Sequence, residues 1–416
     1  MPNQQFTFAI IGAGGRGNCF SQWIHDNPDA GKVIAVAEPN PERRENIVKR
    51  HGIKPEMAFE RWEDLLAKPK LADVLINTTM DRMHIQTAIP ALDKGYHMLL
   101  EKPMAVTLED CKAIDEARRR NNRIVSICHG MRHHVIWAEL KRQLDSGVIG
   151  KIVSYDQLEA VEHIHQSHSF VRGNWGNEGR STFMLLAKSC HDMDIIAYLI
   201  GKPCQRVSSF GTLSYFRKEN APPGAPERCV DGCPAEQSCP YSTYKVYTGK
   251  HPHWGAWHAG LAEKPFEKQI EILKTSNYGK CVFRCDNDVV DHQIVALEFA
   301  EGITATFTMT AFTPYGGRFV RVHGTHGLIR VSEMKNEIEI HNFESGKINR
   351  IALPVQHGSH AGADDNIMKN FVYSLRQNDN NKVLTSTAES LRTHKIAFAA
   401  ERARREKRVV ELEELG

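Results

Sequence analysis

The chain has no long apolar run, no excess charge of either sign and no internal repeat, and each absence removes a class of protein. No segment reaches the roughly 18 consecutive apolar residues that a membrane-spanning helix needs. Fifty-three basic residues face 50 acidic ones, a net of +3, so no overall field draws the chain to nucleic acid or to an anionic membrane. Even the basic-looking stretch from Glu401 to Gly416 holds five basic and five acidic residues. No Lys or Arg precedes Arg16, unlike the charged start of a secretory signal, and the expected location is the cytoplasm. No period of roughly 20 to 50 residues recurs, which removes solenoids and propellers.

What is present is 416 residues, 41% hydrophobic and 25% charged, enough apolar material for two packed domains and unlike a disordered chain. Ten cysteines without a secretory signal read as free thiols, metal ligands or reactive groups rather than as a disulfide framework.

Up to about residue 130, short apolar runs alternate with amphipathic stretches, the pattern of a parallel sheet covered by helices. The runs are Phe6 to Ile11, Val33 to Ala37, Val74 to Asn77, His97 to Leu100 and Ile124 to Ile127. A helix is expected from Thr107, capped by Thr107 with Asp110 and closed by Arg118 to Arg120. This is a doubly wound α/β domain, with ligand at the carboxyl ends of its strands. After Gly150 the apolar period becomes two, in Ile152 to Val161, Ile294 to Phe299 and Ile303 to Phe312, the last two joined by Glu301-Gly302. These predict an antiparallel sheet. One helix is expected over Phe183 to Leu199 and two more over Asp364 to Arg376 and Ser386 to Arg408. The Gly/Pro/Cys-rich stretch from Lys218 to Gly255 reads as an insertion or extended loop without a core. The expected domains are therefore 1–130 and 131–416, with the excess length at about 218–280.

Gly12, Gly14 and Gly17 occupy the G-x-G-x-x-G positions between the first strand and the first helix. Gly12 permits the tight turn, Gly14 the approach of a pyrophosphate and Gly17 close helix–strand packing. Phosphate charge would lie among the unpaired N–H groups that open the helix. The second strand ends at Glu38, where a carboxylate accepts from the adenosine ribose and repels a 2′-phosphate, favouring NAD over NADP. The competing reading has Glu38 cap the helix near Pro41, with Arg43 and Arg44 free to take a phosphate.

The fourth apolar run is followed by Glu101-Lys102-Pro103, and E-K-P at that place, downstream of the glycine turn, resembles the Gfo/Idh/MocA oxidoreductase family. The likeness extends from Asp73 before the motif, through Gly130 to Ile152, to Lys188–Pro203, and is least between Lys218 and Lys280. It implies a Rossmann domain, then an α/β domain with an open, mainly antiparallel sheet whose face forms a homodimer or homotetramer. It implies hydride transfer between a nicotinamide and a hydroxyl-bearing carbon of a sugar or polyol. Cofactor contacts are implied at Gly12, Gly14, Gly15, Arg16, Gly17, Glu38, Thr78, Thr79, His84, Glu101 and Lys102, and catalysis at Lys102 and His191.

The chemistry suits those types. A hydride leaves a carbinol carbon only as the hydroxyl proton is lost, so Lys102 can stabilise the developing alkoxide and His191 can take the proton. The alternatives are a surface lysine and a satisfied helix histidine. The family commonly places Asp four residues before the histidine, where this chain has Ala187; Lys188, three before His191, can share its helix face as a substitute. Substrate contacts are expected from Arg132, His165, Arg172, Asn174 and Trp175, since indole faces suit sugar rings and polar groups suit hydroxyls. Each of these residues also fits an ordinary ordered loop.

Cys229, Cys233 and Cys239 lie within eleven residues, with Cys281 and Cys285 further on. Three close thiols suit a structural zinc that closes an extended loop, but their spacing, C-x3-C-x5-C, is not the C-x2-C pairing of common zinc modules, and a fourth ligand must come from Cys281, Cys285 or a histidine; an iron–sulfur cluster and plain reduced thiols are the alternatives. Three functions stay open: the dehydrogenase, a glycoside-cleaving enzyme that oxidises transiently with no net cofactor turnover, and a nucleotide sensor without catalysis.

Overall fold

The structure, a computed structural model, describes residues 4–249, 252–355 and 361–416. Two compact units emerge, the first from the described parts of 1–148, 190–202 and 351–398, the second from 149–189, 203–350 and 399–416. The expected boundary near residue 130 follows the last parallel strand, but the first unit keeps the next helix and takes helices from later in the chain. The reason is packing: Ile367, Met368, Phe371 and Leu375 of the helix Ala363–Gln377 join the same apolar cluster as Phe8, Ile10 and Phe20.

The first unit holds a six-stranded parallel sheet of β1 (Phe6–Ile11), β2 (Gly31–Ala37), β3 (Ala58–Phe59), β4 (Val74–Asn77), β5 (His97–Leu100) and β6 (Val125–Ile127), in the order β3-β2-β1-β4-β5-β6. That order reverses between β1 and β4, where a crevice opens at the carboxyl ends. Five strands coincide with the apolar runs; β3 has two residues and carries no period to read. Along β1, Phe8 and Ile10 enter one core and Ala9 and Ile11 the other. Burial on both faces explains the unbroken apolar runs. Thr107 caps the helix Leu108–Arg120 as expected, its hydroxyl accepting the Asp110 N–H at 3.1 Å.

The second unit is built on nine strands: β7 (Ile152–Ala160), β8 (Cys204–Thr212), β9 (His292–Phe299), β10 (Thr304–Thr310), β11 (Gly317–Gly324), β12 (Gly327–Ser332), β13 (Glu337–Asn342), β14 (Ile348–Ala352) and β15 (Val410–Glu411). Their order is β14-β13-β12-β11-β7-β10-β9-β8-β15. The β10–β7 pair is parallel and its neighbours are antiparallel. Glu301 (φ +66°) and Gly302 (φ +75°) turn the chain between β9 and β10.

Two expectations are corrected. The stretch from Phe183 to Leu199 is two helices, Met184–Ala187 and Cys190–Ile200, parted at Lys188 and Ser189. The insertion has cores of its own: Val246, Tyr247, Ala256, Leu261 and Leu273 form one cluster, and Phe216, Tyr241, Cys281 and Phe283 belong to another. Its aromatics were diluted among Gly and Pro, so no period marked them. Among the described residues no helix is long and apolar enough to cross a membrane.

Close approach dictates the first turn. Gly12 has φ +86°, and a Cβ there would stand 2.6 Å from the Thr78 carbonyl oxygen; one on Gly17 would stand 2.0 Å from the Gly12 carbonyl oxygen. At Gly14 the nearest atom would be Arg43 Nη1 at 4.0 Å.

Several histidines are held neutral inside. Burial, the leading cause, pushes His51, His97 and His133 down to about 4 and His168 and His394 to about 3. His97 Nδ1 and His394 Nε2 accept backbone N–H groups, of Ile124 and Met104, each at 3.0 Å, which an imidazolium could not do. Below about pH 6.5 the unfolded chain takes up protons that the folded one refuses, so stability falls with pH. The urea midpoint should therefore be lower at pH 5.5 than at pH 7.5, and an equal or higher midpoint at pH 5.5 would contradict this. In the same assay Gly17→Ala should cost about 1–3 kcal/mol by overpacking and Gly14→Ala less than about 1 kcal/mol; equal losses would refute the packing argument.

Candidate active site

The residues after β1, β2, β4 and β5 build the site in the first unit. Gly12 donates its N–H to the Ala37 carbonyl at 2.9 Å, and the Thr78 hydroxyl donates to the Gly12 carbonyl at 2.6 Å. Thr79 spends its hydroxyl on Asn77 Oδ1 at 2.9 Å. The helix Gly15–Asp26 opens with Gly14 as cap and no side-chain hydrogen bond, which leaves its first N–H groups for an anion. With Gly14 unrequired by the protein's own packing, the turn has room where a pyrophosphate would lie, and the fit to a dinucleotide is good.

Glu38 is buried, and its carboxylate accepts the N–H groups of Ala13 at 2.6 Å and Asn40 at 2.9 Å. The helix beginning at Pro41 takes its side-chain cap from Asn40, so Glu38 is not that cap; its oxygens keep lone pairs for a ribose diol. Arg44 donates to the Glu38 carbonyl and is committed to backbone. Arg43 Nη1 stands over Gly14.

Past β5 the chemistry concentrates. Glu101 is buried, and burial alone would raise its pKa, but the Arg16 guanidinium holds it below the usual carboxylate range. Arg16 Nε reaches Glu101 Oε1 at 2.5 Å, and its two Nη atoms grip the Asp364 carboxylate at 2.6 and 2.7 Å. Arg16 is thus spent on two carboxylates rather than turned to a phosphate. The other Glu101 oxygen accepts the Lys102 N–H at 2.9 Å, which fixes where Lys102 leaves the strand. The Lys102–Pro103 peptide is cis. His84, fully buried, sets one ring nitrogen on the Pro103 carbonyl at 2.8 Å and the other near the Thr79 carbonyl at 3.2 Å. It ties two turns together and has no edge left for a cofactor.

His191 sits in the first turn of the helix Cys190–Ile200, its ring 5.6 Å from that of His129, edge to face. His129, just beyond β6, is buried with a lowered pKa, chiefly from burial, with Arg132 and Lys102 adding to it. The Lys102 charge also lowers Cys190 and His394, whose shifts are governed by burial. His394 accepts from Met104 through Nε2, so its proton is on Nδ1, 2.8 Å from the Ser390 carbonyl.

Arg132 is not free for substrate. It is buried, in a two-pronged pair with Asp194 at 2.7 and 2.8 Å, and donates to the Leu384 carbonyl at 3.0 Å. Breaking such a pair costs about 3–5 kcal/mol, so its work is to hold Asp194, three residues beyond His191. Lys188 lies at the break between helices, so the shared face with His191 does not exist; its ammonium pairs with Glu159 at 3.0 Å in the second unit.

Also in the second unit, Arg172 is 2% exposed and donates to the carbonyls of Lys280 and Tyr241, each at 2.8 Å; it cannot meet substrate. His165 lies edge-on to Trp254 at 4.9 Å, Asn174 is half-buried and Trp175 is 36% exposed. Lys250 and His251, which open the Trp254 segment, lie outside the described residues. Among the described residues no three His, Cys, Asp or Glu side chains are disposed to hold one metal ion. The zinc expected on Cys229, Cys233 and Cys239 therefore fails on donor geometry.

Sequence reasoning missed Asp364, His129 and His394. His129 follows a strand, a position that marks it; Asp364 and His394 lie on distant helices and carry no local signal.

Two family models match the chain: an oxidoreductase-family, NAD-binding Rossmann fold over residues 6–129, and the family's C-terminal alpha/beta domain over residues 141–412. The putative oxidoreductase YteT of Bacillus subtilis strain 168 is 22% identical over 284 residues, 67% of this chain and 64% of that protein. The scyllo-inositol 2-dehydrogenase (NAD(+)) of the same organism is 26% identical over 213 residues, 50% of this chain and 58% of that one. The chain thus spans less than two thirds of either relative. Among solved structures, levoglucosan dehydrogenase in complex with NADH superposes with a TM-score of 0.73 at 17% identity, covering 98% of this chain and 99% of that one. The scyllo-inositol dehydrogenase of Lactobacillus casei, with NAD(H) and scyllo-inositol, gives 0.67 at 16% identity, covering 99% and 100%. At such identities the superpositions speak for the fold. With both family models matched over nearly the whole chain, the protein belongs to the Gfo/Idh/MocA oxidoreductase family.

Proposed function

We propose that the protein is an NAD-dependent dehydrogenase that moves a hydride between nicotinamide and a carbinol carbon of a cyclic polyol or sugar. The observation that carries this reading is the fixed exit of Lys102, one residue past a buried, charged Glu101 that is itself tied to the helix opening the dinucleotide turn. A bound nicotinamide would supply the hydride acceptor. Lys102 would stabilise the alkoxide that forms as the hydride leaves, and His191 would accept the hydroxyl proton. Asp194, held by Arg132, and neutral His129 fix the surroundings in which His191 works. Glu38 supports NAD over NADP, because a buried carboxylate facing the ribose would repel a 2′-phosphate.

Relatives named for dehydrogenation of inositols and of levoglucosan support the substrate class. The glycoside-cleaving alternative gains no support from them. In the second unit, His165, Asn174 and Trp175 are of the types that suit sugar rings and hydroxyls. The open face of the nine-stranded sheet, where Phe210 (71% exposed) pairs across from Ile294 (48%), is a self-association surface in the same reading.

The test is reduction of NAD+, followed by its ultraviolet absorbance, with a panel of inositols and anhydrosugars, and with NADP+ in parallel. Lys102→Ala should lower kcat by about 10² or more and leave NAD+ affinity near that of the parent. His191→Asn should lower kcat by about 10²–10⁴. A Lys102→Ala enzyme with near-parental turnover would defeat the assignment.

A further inference from the structure

The insertion carries an aromatic platform that the dehydrogenase reading leaves unused. Trp254 is 39% exposed, and four imidazoles surround its indole: His253 at 4.8 Å, His165 at 4.9 Å, and His168 and His258 each at 5.3 Å between ring centroids. A tryptophan gripped on several sides and still open to solvent offers a rigid apolar face to a ligand. The grip is built from below. His168 is buried, stacked on Tyr278 at 4.7 Å and 8° and hydrogen-bonded to the Tyr247 hydroxyl at 3.0 Å. A Cβ on Gly255 would stand 2.8 Å from His168 Nδ1, so glycine is what lets the segment lower Trp254 onto that ring. Burial, the leading cause, lowers His258 and takes His168 to about 3, so both imidazoles are neutral at pH 7.

The rim of the platform is polar. Glu162, just past β7, has φ +77° and ψ 132°, a backbone that side-chain-bearing residues seldom adopt and that collects at ligand sites. Thr313 pins it there: its hydroxyl accepts the Glu162 N–H at 3.0 Å and its carbonyl the His163 N–H at 3.0 Å. His253 Nδ1 accepts the Gly255 N–H at 3.2 Å, so its proton is on Nε2, which lies 3.4 Å from Glu162 Oε2. A carboxylate has about four acceptor sites, and His253 takes one of them.

We propose that Trp254, with Glu162 and His253 at its rim, binds one pyranose ring of an uncharged glycoside, so that the preferred substrate carries a second ring. The C–H groups on one face of a pyranose are weakly positive and meet the negative face of the indole, while ring hydroxyls donate to Glu162. The same carboxylate repels a phosphate or a sugar acid, which makes the ligand uncharged. His165 joins the platform to the loop of Trp175, lying 5.7 Å from Phe170, which lies 6.4 Å from Trp175. Two exposed indoles thus stand at the ends of one run of ring contacts and seat one sugar ring each, and the insertion supplies the second seat. The substrate role of this site rests on the dehydrogenase reading, whereas binding of the glycoside does not.

The test is saturation-transfer NMR on the full chain with NAD+, with cellobiose, maltose and trehalose as probes and glucose as the one-ring control. Both rings of at least one disaccharide should receive signal, and that disaccharide should bind more tightly than glucose. Trp254→Ala should remove transfer to one ring and weaken the disaccharide about threefold to tenfold with glucose unchanged, while Trp257→Ala, in the same short helix, alters neither. Glu162→Gln, close in shape to the parent, should weaken the disaccharide as well and serves where Trp254→Ala fails to fold. No disaccharide bound more tightly than glucose, or the same preference in Trp254→Ala or Glu162→Gln, would overturn the proposal. Disaccharide binding of the expected pattern without any NAD+ reduction would support this site and defeat the dehydrogenase reading instead.

Discussion

A charged carboxylate cannot stay buried unless a cation meets it, and the carboxyl end of the parallel sheet in the first unit depends on that constraint at Glu101. Arg16 satisfies it and in the same stroke binds Asp364, 348 residues away in sequence. One guanidinium therefore joins the helix after the glycine turn, the end of β5 and the start of the helix Ala363–Gln377. The free oxygen of Glu101 then receives the N–H of Lys102. Within the E-K-P motif, the glutamate fixes the backbone of the lysine that follows it. Burial favours protonation, but the paired guanidinium outweighs it, and the carboxylate stays charged.

A second buried pair, Arg132 with Asp194, does for the helix of His191 what Arg16 does for the glycine turn. Around it, His129 and His394 are kept neutral chiefly by burial, with Lys102 lowering both and Arg132 lowering His129 as well. A neutral histidine shell beside an ammonium suits the stabilisation of an alkoxide, because the other nearby cation, Arg132, is already paired with Asp194.

Much of the fold was legible because strands buried on both faces leave unbroken apolar runs, as in Ile10 and Ile11, and because Thr107 announces its helix by a local hydrogen bond. What was hidden lacked a local signature. β3 is two residues long, the Lys188–Ser189 break falls within an apolar stretch, and the cores of the insertion are assembled from scattered aromatics. In the site, glycines and strand-end residues could be named because their roles follow from backbone geometry. Arg132 and Arg172 looked like substrate ligands because sequence shows charge but not burial; both turned out to be paired with the protein's own carboxylate, carbonyl or thiol groups. Lys188 depended on a helix face that the break removes. Asp364 could not be found at all, since nothing near it in sequence links it to Arg16.

The central claim is that a hydride passes directly between a carbinol carbon and nicotinamide beside Lys102. It is tested most directly with a cyclic polyol deuterated at its carbinol carbons, incubated with NAD+ and the enzyme, and mass analysis of the reduced dinucleotide. The account predicts one deuterium in each reduced nicotinamide. Product formed with no reduced dinucleotide, or reduced dinucleotide without deuterium, would contradict it.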